Sequence, residues 1–183
     1  FLLLFSVGIT KGKWGSMIAG LMEFKHYYDA NESLAQVLPD LVSSHPDRYQ
    51  DMGLKDLAEE MHAEMKETKL LQSMDAAFTI LPDAALNPRK TYGELVRGNV
   101  EQVRATDMMN RVVAVQVVPY PPGIPLMMPG EKVTEEKRGV VDYLLALQTF
   151  DSHLPGFEHD THGVEIERDA EGNAVYMIYC LQE

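Results

Sequence analysis

The sequence predicts a mixed α+β fold, helical in its first half and with its β structure concentrated late. Three observations carry this. Apolar residues recur at helical spacing in Lys13–Ala30, Leu54–Met65 and Leu70–Ile80. Val100–Arg104 alternates, Arg111–Val118 is rich in β-branched valine, and Ala174–Leu181 is an apolar, strand-like tail. Between these halves, Val118–Glu131 holds five of the ten prolines and two of the thirteen glycines, which excludes helix and central strand there.

The chain has 183 residues, enough for one good core or two small ones, and its apolar fraction of 45% is that of an ordinary globular protein. A net charge of −12 makes nucleic acid and anionic membrane poor partners. That charge serves solubility. With 28 carboxylates and six histidines it also allows an oligomer favoured by mild acid, where repulsion between copies falls. The one cysteine, Cys180, excludes an intrachain disulfide and a cysteine-based zinc site, and suits a reducing compartment.

Taken in order, Phe1–Ser6 reads as a continuous apolar strand that begins abruptly, as if cut from something longer. Its apolar run is too short to span a membrane, and no basic region marks it as a signal peptide. Val7–Gly12 is expected to turn into the helix Lys13–Ala30, with Trp14, Met17, Ile18, Leu21, Phe24 and Tyr28 on one face. Gly8, Gly12 and Gly15 meet neither phosphate-loop nor dinucleotide spacing. Asn31–Asp51 reads as loop, short helix and loop, broken by Pro39 and Pro46. Gly53 precedes an amphipathic helix with Leu54, Leu57, Ala58, Met61 and Met65 inward, and Glu59, Glu60, His62 and Glu64 solvated. Leu70–Ile80 is a further helix, with Met74 and its leucines expected to form core rather than a cofactor box. Leu81–Pro88 is the best boundary. Pro88 opens a helix to Arg97 that Gly98-Asn99 ends. Val100–Arg104 and Arg111–Val118 are expected to share one sheet.

The proline ribbon also carries Tyr120, Ile124, Leu126, Met127 and Met128, so it is expected to pack as a stiff loop, with or without lining a ligand site. Thr134 is expected to cap a helix to about Ser152, its first turn acidic with Glu135 and Glu136. Pro155-Gly156 stops it. Val164–Glu167 and Ala174–Leu181 flank Asp169-Ala-Glu-Gly-Asn173, a hairpin signal. The densest polar group is Asp151, His153, Glu158, His159, Asp160 and His162. Imidazole and carboxylate suit zinc or general acid–base work, but the spacing matches no helical metal motif. Loop roles near a cleft and plain surface roles stand beside that reading, as does pairing with a cationic substrate. No Gly-x-Ser-x-Gly occurs.

Pro119-Tyr-Pro-Pro-Gly-Ile-Pro-Leu-Met-Met-Pro-Gly-Glu131, followed by Leu154-Pro-Gly-Phe-Glu158, resembles the C-terminal part of the bacterial ornithine/lysine/arginine decarboxylases, which depend on pyridoxal phosphate (PLP). Phe5-Ser-Val-Gly-Ile-Thr-Lys-Gly-Lys-Trp-Gly15 resembles the strand and helix of that family's aminotransferase-like small domain. The resemblance implies that residues 1–86 are the end of this small domain with a helical connection, and residues 87–183 a mixed α+β C-terminal domain. Lys11–Gly15, Phe24–Asn31, Leu34–Pro39 and Gly156–His159 look closest to the acid-induced arginine branch, which would make agmatine and CO2 in acid resistance or polyamine metabolism. Lysine and ornithine are the alternatives within the family. The family's cofactor lysine follows a histidine, and none of the nine lysines here does. The resemblance therefore implies a C-terminal piece without catalytic, cofactor-binding or metal residues. Tyr120, Pro121, Pro122, Gly123, Glu131, His153, Phe157, Glu158 and His159 would line the active-site funnel or pack between domains. PLP would sit in an upstream domain, and the whole enzyme would be a cytoplasmic homo-oligomer, a dimer or a ring such as a decamer. Two readings compete: a non-catalytic binding or regulatory module, and a metal-dependent hydrolase using His153, His159 and His162.

Overall fold

The computed structural model describes residues 10–120 and 123–183, so the expected strand Phe1–Ser6 and its turn up to Ile9 lie outside the described residues. The chain divides into two compact units, Phe1–Met61 and His62–Glu183. The boundary expected at 86/87 falls inside the second.

In the first unit, helix α1 (Lys11–Asp29) starts two residues earlier than its apolar pattern suggests, because Thr10 accepts the Lys13 amide as N-cap. Its expected apolar face is not buried: Trp14, Ile18, Leu21 and Phe24 are 43–54% exposed. Three short helices follow, α2 (Leu34–Val37), α3 (Pro39–Ser44) and α4 (Pro46–Tyr49). Pro39 and Pro46 start helices rather than break them, since each occupies a first-turn position whose amide has no partner to lose. Helix α5 (Leu54–Glu67) is anchored by Asn31, whose side-chain oxygen accepts the Lys55 amide at 2.9 Å. Asp56 reaches back to the Gly53 amide at 3.1 Å. A Cβ at Gly53 would come within 2.0 Å of Asn31 Oδ1, so only glycine fits beneath that cap. Leu34, Tyr49, Leu54 and Leu57 are the buried apolar residues here.

In the second unit, α6 (Leu70–Thr79) packs on a later helix, α8 (Gly139–His153). Gly139 allows that approach: a Cβ there would meet the Ala76 methyl at 3.1 Å. After α6 come β1 (Asp83–Ala84), α7 (Pro88–Arg97) and β2 (Val100–Arg104). Gly98, at φ +78°, ends α7 in the left-handed conformation. Next are β3 (Val118–Tyr120) and β4 (Glu131–Lys132), then beyond α8 β5 (Asp160–His162), β6 (Val164–Arg168) and β7 (Ala174–Leu181). β7 is central in an antiparallel sheet of order β2-β7-β6, with β6 and β7 forming the expected hairpin. β1 pairs with β4 and β3 with β5.

Two expectations are corrected. Arg111–Val118 is not one continuous strand, because its valines serve different partners. Val113 bridges Cys180 of β7, Val112 bridges Lys132, and Val117 bridges Met127. Thr134 does not cap with its side chain; a single 3₁₀ turn, Glu135–Lys137, precedes α8. The core lies where α8 packs on both α6 and β7: Leu144, Leu147, Tyr176, Ile178 and Cys180 are at most 1% exposed. The proline ribbon packs into it through Leu126 and Met127.

Candidate functional site

Residue Asp151 lies in the last turn of α8, on the apolar face that carries Leu144 and Leu147, and is fully buried. A carboxylate there must be satisfied by hydrogen bonds. Its Oδ1 accepts the His159 backbone amide at 3.1 Å and lies 2.6 Å from His159 Nδ1. Its Oδ2 accepts the Tyr176 hydroxyl at 2.5 Å. Burial first, and then this carboxylate, push the Tyr176 hydroxyl far above its ordinary range, so it stays a proton donor. Thr161 is buried beside it, near enough to ease that shift but making no hydrogen bond by geometry. In neutral His159 the carboxylate fixes the proton on Nδ1 and leaves Nε2 as an acceptor. The imidazole packs edge-on against Phe150, ring centroids 5.1 Å apart.

The other predicted residues lie around this buried network. Glu158 accepts the Gly156 amide at 2.9 Å and Arg168 Nη2 at 2.7 Å, clamping the Pro155-Gly156 loop to β6. The Phe157 amide donates to Leu154 O at 3.1 Å. His153 Nδ1 lies 2.9 Å from Glu64 Oε2, so Glu64, expected in solvent, is a partly buried partner of the imidazole. Tyr120 sits in β3 opposite Asp160, and its ring packs against that of His162 at a 40° tilt, centroids 4.8 Å apart. Gly123, at φ +78°, leaves room for that ring: a Cβ would approach Tyr120 Cε1 to 2.6 Å. Pro121 and Pro122 fall outside the described residues. Glu131 closes its own turn by accepting the Met128 amide at 2.8 Å and is not part of the cluster.

Sequence reasoning grouped the acids and histidines but missed Tyr176, Thr161, Arg168 and Glu64. Tyr176 could have been found: it shares the inward phase of β7 with Ala174, Ile178 and Cys180. The six polar residues do not converge. Among the described residues, no three His, Cys, Asp or Glu side chains are placed to hold a metal ion, and no lysine is buried. None of the described helices is long and apolar enough to cross a membrane. The network can orient an imidazole and pin a loop.

Residues 71–182 match the profile of the Orn/Lys/Arg decarboxylase C-terminal domain. The chain is 44% identical to lysine decarboxylase LdcA of Pseudomonas aeruginosa over 183 residues, all of this chain and 24% of that enzyme. It is 42% identical to the biodegradative arginine decarboxylase of Escherichia coli over 98% of this chain and 23% of that protein. The solved structure of lysine decarboxylase A from Pseudomonas aeruginosa superposes with a TM-score of 0.89 over all of this chain and 24% of its own. That of Escherichia coli constitutive lysine decarboxylase gives 0.85 over 98% of this chain and 25% of its own. The chain thus spans about a quarter of the length of these relatives.

Proposed function

Since this chain belongs to the Orn/Lys/Arg decarboxylase family, we propose that it is the C-terminal portion of an enzyme that removes the α-carboxyl group of a basic amino acid as CO2. The observation that supports this is the match of residues 71–182 to the family's C-terminal domain, within a relatedness that runs through the whole chain. The reaction centre of the whole enzyme would lie outside these residues. PLP, when bound to such an enzyme, acts as an electron sink for the carbanion left by CO2. The residues here do not fit that cofactor: none of the lysines follows a histidine, and no described lysine is buried. The contribution of this chain is structural. The Asp151–His159–Tyr176 network and the ribbon that carries Tyr120 hold one rigid face, suited to pack against the missing part and shape its entrance.

Arginine is the substrate favoured by Lys11–Gly15, Phe24–Asn31, Leu34–Pro39 and Gly156–His159. Lysine is the second reading, supported by the identity to the Pseudomonas aeruginosa enzyme. The whole protein is proposed to be a cytoplasmic homo-oligomer with a role in acid resistance or polyamine metabolism. The test is amine formation by the protein expressed from its native gene, offered L-arginine, L-lysine and L-ornithine in turn. Agmatine or cadaverine from a yellow, PLP-bearing protein is expected. A colourless protein that forms no amine from any of the three would overturn the reading.

A further inference from the structure

A groove of about 400 Å³ lies where one end of the β2-β7-β6 sheet meets the last turns of α8. Arg104 ends β2 in register with Met177, which brings it to the same end of the sheet as the Asp169–Asn173 turn before β7. Gln148, Thr149 and Ser152 line the groove from α8. The volume is that of a small-ligand site.

Most of its polar atoms are already committed. Thr149 Oγ1 donates to Leu145 O at 2.9 Å. Ser152 Oγ accepts the Ala174 amide at 2.9 Å and donates to Gln148 O at 2.8 Å. Gln148 Oε1 accepts the Tyr176 amide at 2.8 Å, which fixes the orientation of its amide. Asp169 accepts the Glu171 and Asn173 amides and Asn173 Nδ2 at 2.8–3.1 Å.

What remains is divided by charge. The Arg104 guanidinium is exposed and, among the described residues, makes no ion pair or side-chain hydrogen bond. Among the described residues, the Gln148 side-chain N–H groups have no protein acceptor either. These are donors. Asp169 keeps capacity for a further donor, since a carboxylate has about four acceptor sites. The end of α8 adds the negative pole of that helix. A simple carboxylate entering the groove would meet Asp169, and a simple amine would meet Arg104. A zwitterion suits both.

We propose that this groove binds a free α-amino acid. Its carboxylate pairs with Arg104 in the bidentate geometry that a guanidinium favours, and with the Gln148 amide. Its ammonium lies at Asp169 and the carbonyl end of α8. The proposal stands on the groove alone and does not depend on the decarboxylase reading.

The test is a titration of the 15N-labelled 183-residue chain, followed by amide chemical shifts. The ligands are L-lysine, L-arginine and L-alanine, then 1,5-diaminopentane without a carboxylate and acetate without an amine. Saturable shifts at Arg104, Thr149, Asp169 and Asn173 are expected with the amino acids, and binding about tenfold weaker or worse with the other two. Arg104→Gln, a change to an exposed side chain, is expected to raise the amino-acid Kd about tenfold. No saturation by about 10 mM amino acid would overturn the proposal. So would equal binding of diamine and amino acid, which the unmodified chain decides even if the variant folds poorly. Amine formation plays no part in these readouts, so failure of the proposed activity and failure of this site are separate results.

Discussion

Three donors converge on Asp151: the His159 amide, His159 Nδ1 and the Tyr176 hydroxyl. Asp151→Asn puts an amide N–H or a carbonyl where two oxygens now accept, so at least one donor among His159 Nδ1–H and Tyr176 O–H is lost or opposed. Urea denaturation of the 183-residue chain should show a loss of about 2–3 kcal/mol. Thr161→Val is the contrasting case. Its hydroxyl is buried without a hydrogen bond. Removal should leave stability within about 0.5 kcal/mol of the parent, or raise it. Asp151 was readable as an anomaly in the sequence, a carboxylate seven residues after Leu144 on an apolar helix face. Its donors were not readable, because Tyr176 lies 25 residues away across an unspecified strand register.

The turns show what local sequence can and cannot specify. Gly163 and Gly172 both hold positive φ, +81° and +88°, in neighbouring turns. A Cβ at Gly163 would lie 2.0 Å from Gln116 O, whereas nothing lies within 4 Å of one at Gly172. Gly172→Ala should cost about 1 kcal/mol of left-handed strain, and Gly163→Ala should exceed it at least twofold by thermal denaturation. In the Gly172 turn, Asp169 is held below its ordinary value of 3.8 first by the Asn173 side chain and then by backbone amides. A depressed folded value means that the turn gains stability above the ordinary aspartate range and loses it as pH falls through the depressed value. The protection factors of the Glu171 and Asn173 amides, taken relative to intrinsic exchange at each pH, should therefore fall in acid, and Asp169→Asn should remove that dependence. The hairpin was legible from Asp169–Asn173 alone, because its chemistry is local. Arg111–Val118 was not. β-propensity marks it as extended, but only the fold decides that its valines answer to β7, β4 and the proline ribbon in turn. Pro39 and Pro46 were misread for a related reason: proline breaks a helix interior and favours a helix start, and only the neighbours say which.

At the scale of the whole molecule, periodicity predicted the helices better than their burial. The stripe Trp14–Phe24 is present on α1, yet its residues stay about half exposed, while α8 is buried on most of its circumference. An apolar stripe shows that a helix can be covered; it does not name the cover. The solitary thiol of Cys180 gives this larger scale a clock. It is fully buried in β7 with its pKa pushed up to about 11 by that burial. An aromatic disulfide reagent near neutral pH should therefore find almost no thiolate in the closed state. Each labelling event then counts one opening of the central strand, and its rate, followed by absorbance against urea, times how often the second unit comes apart.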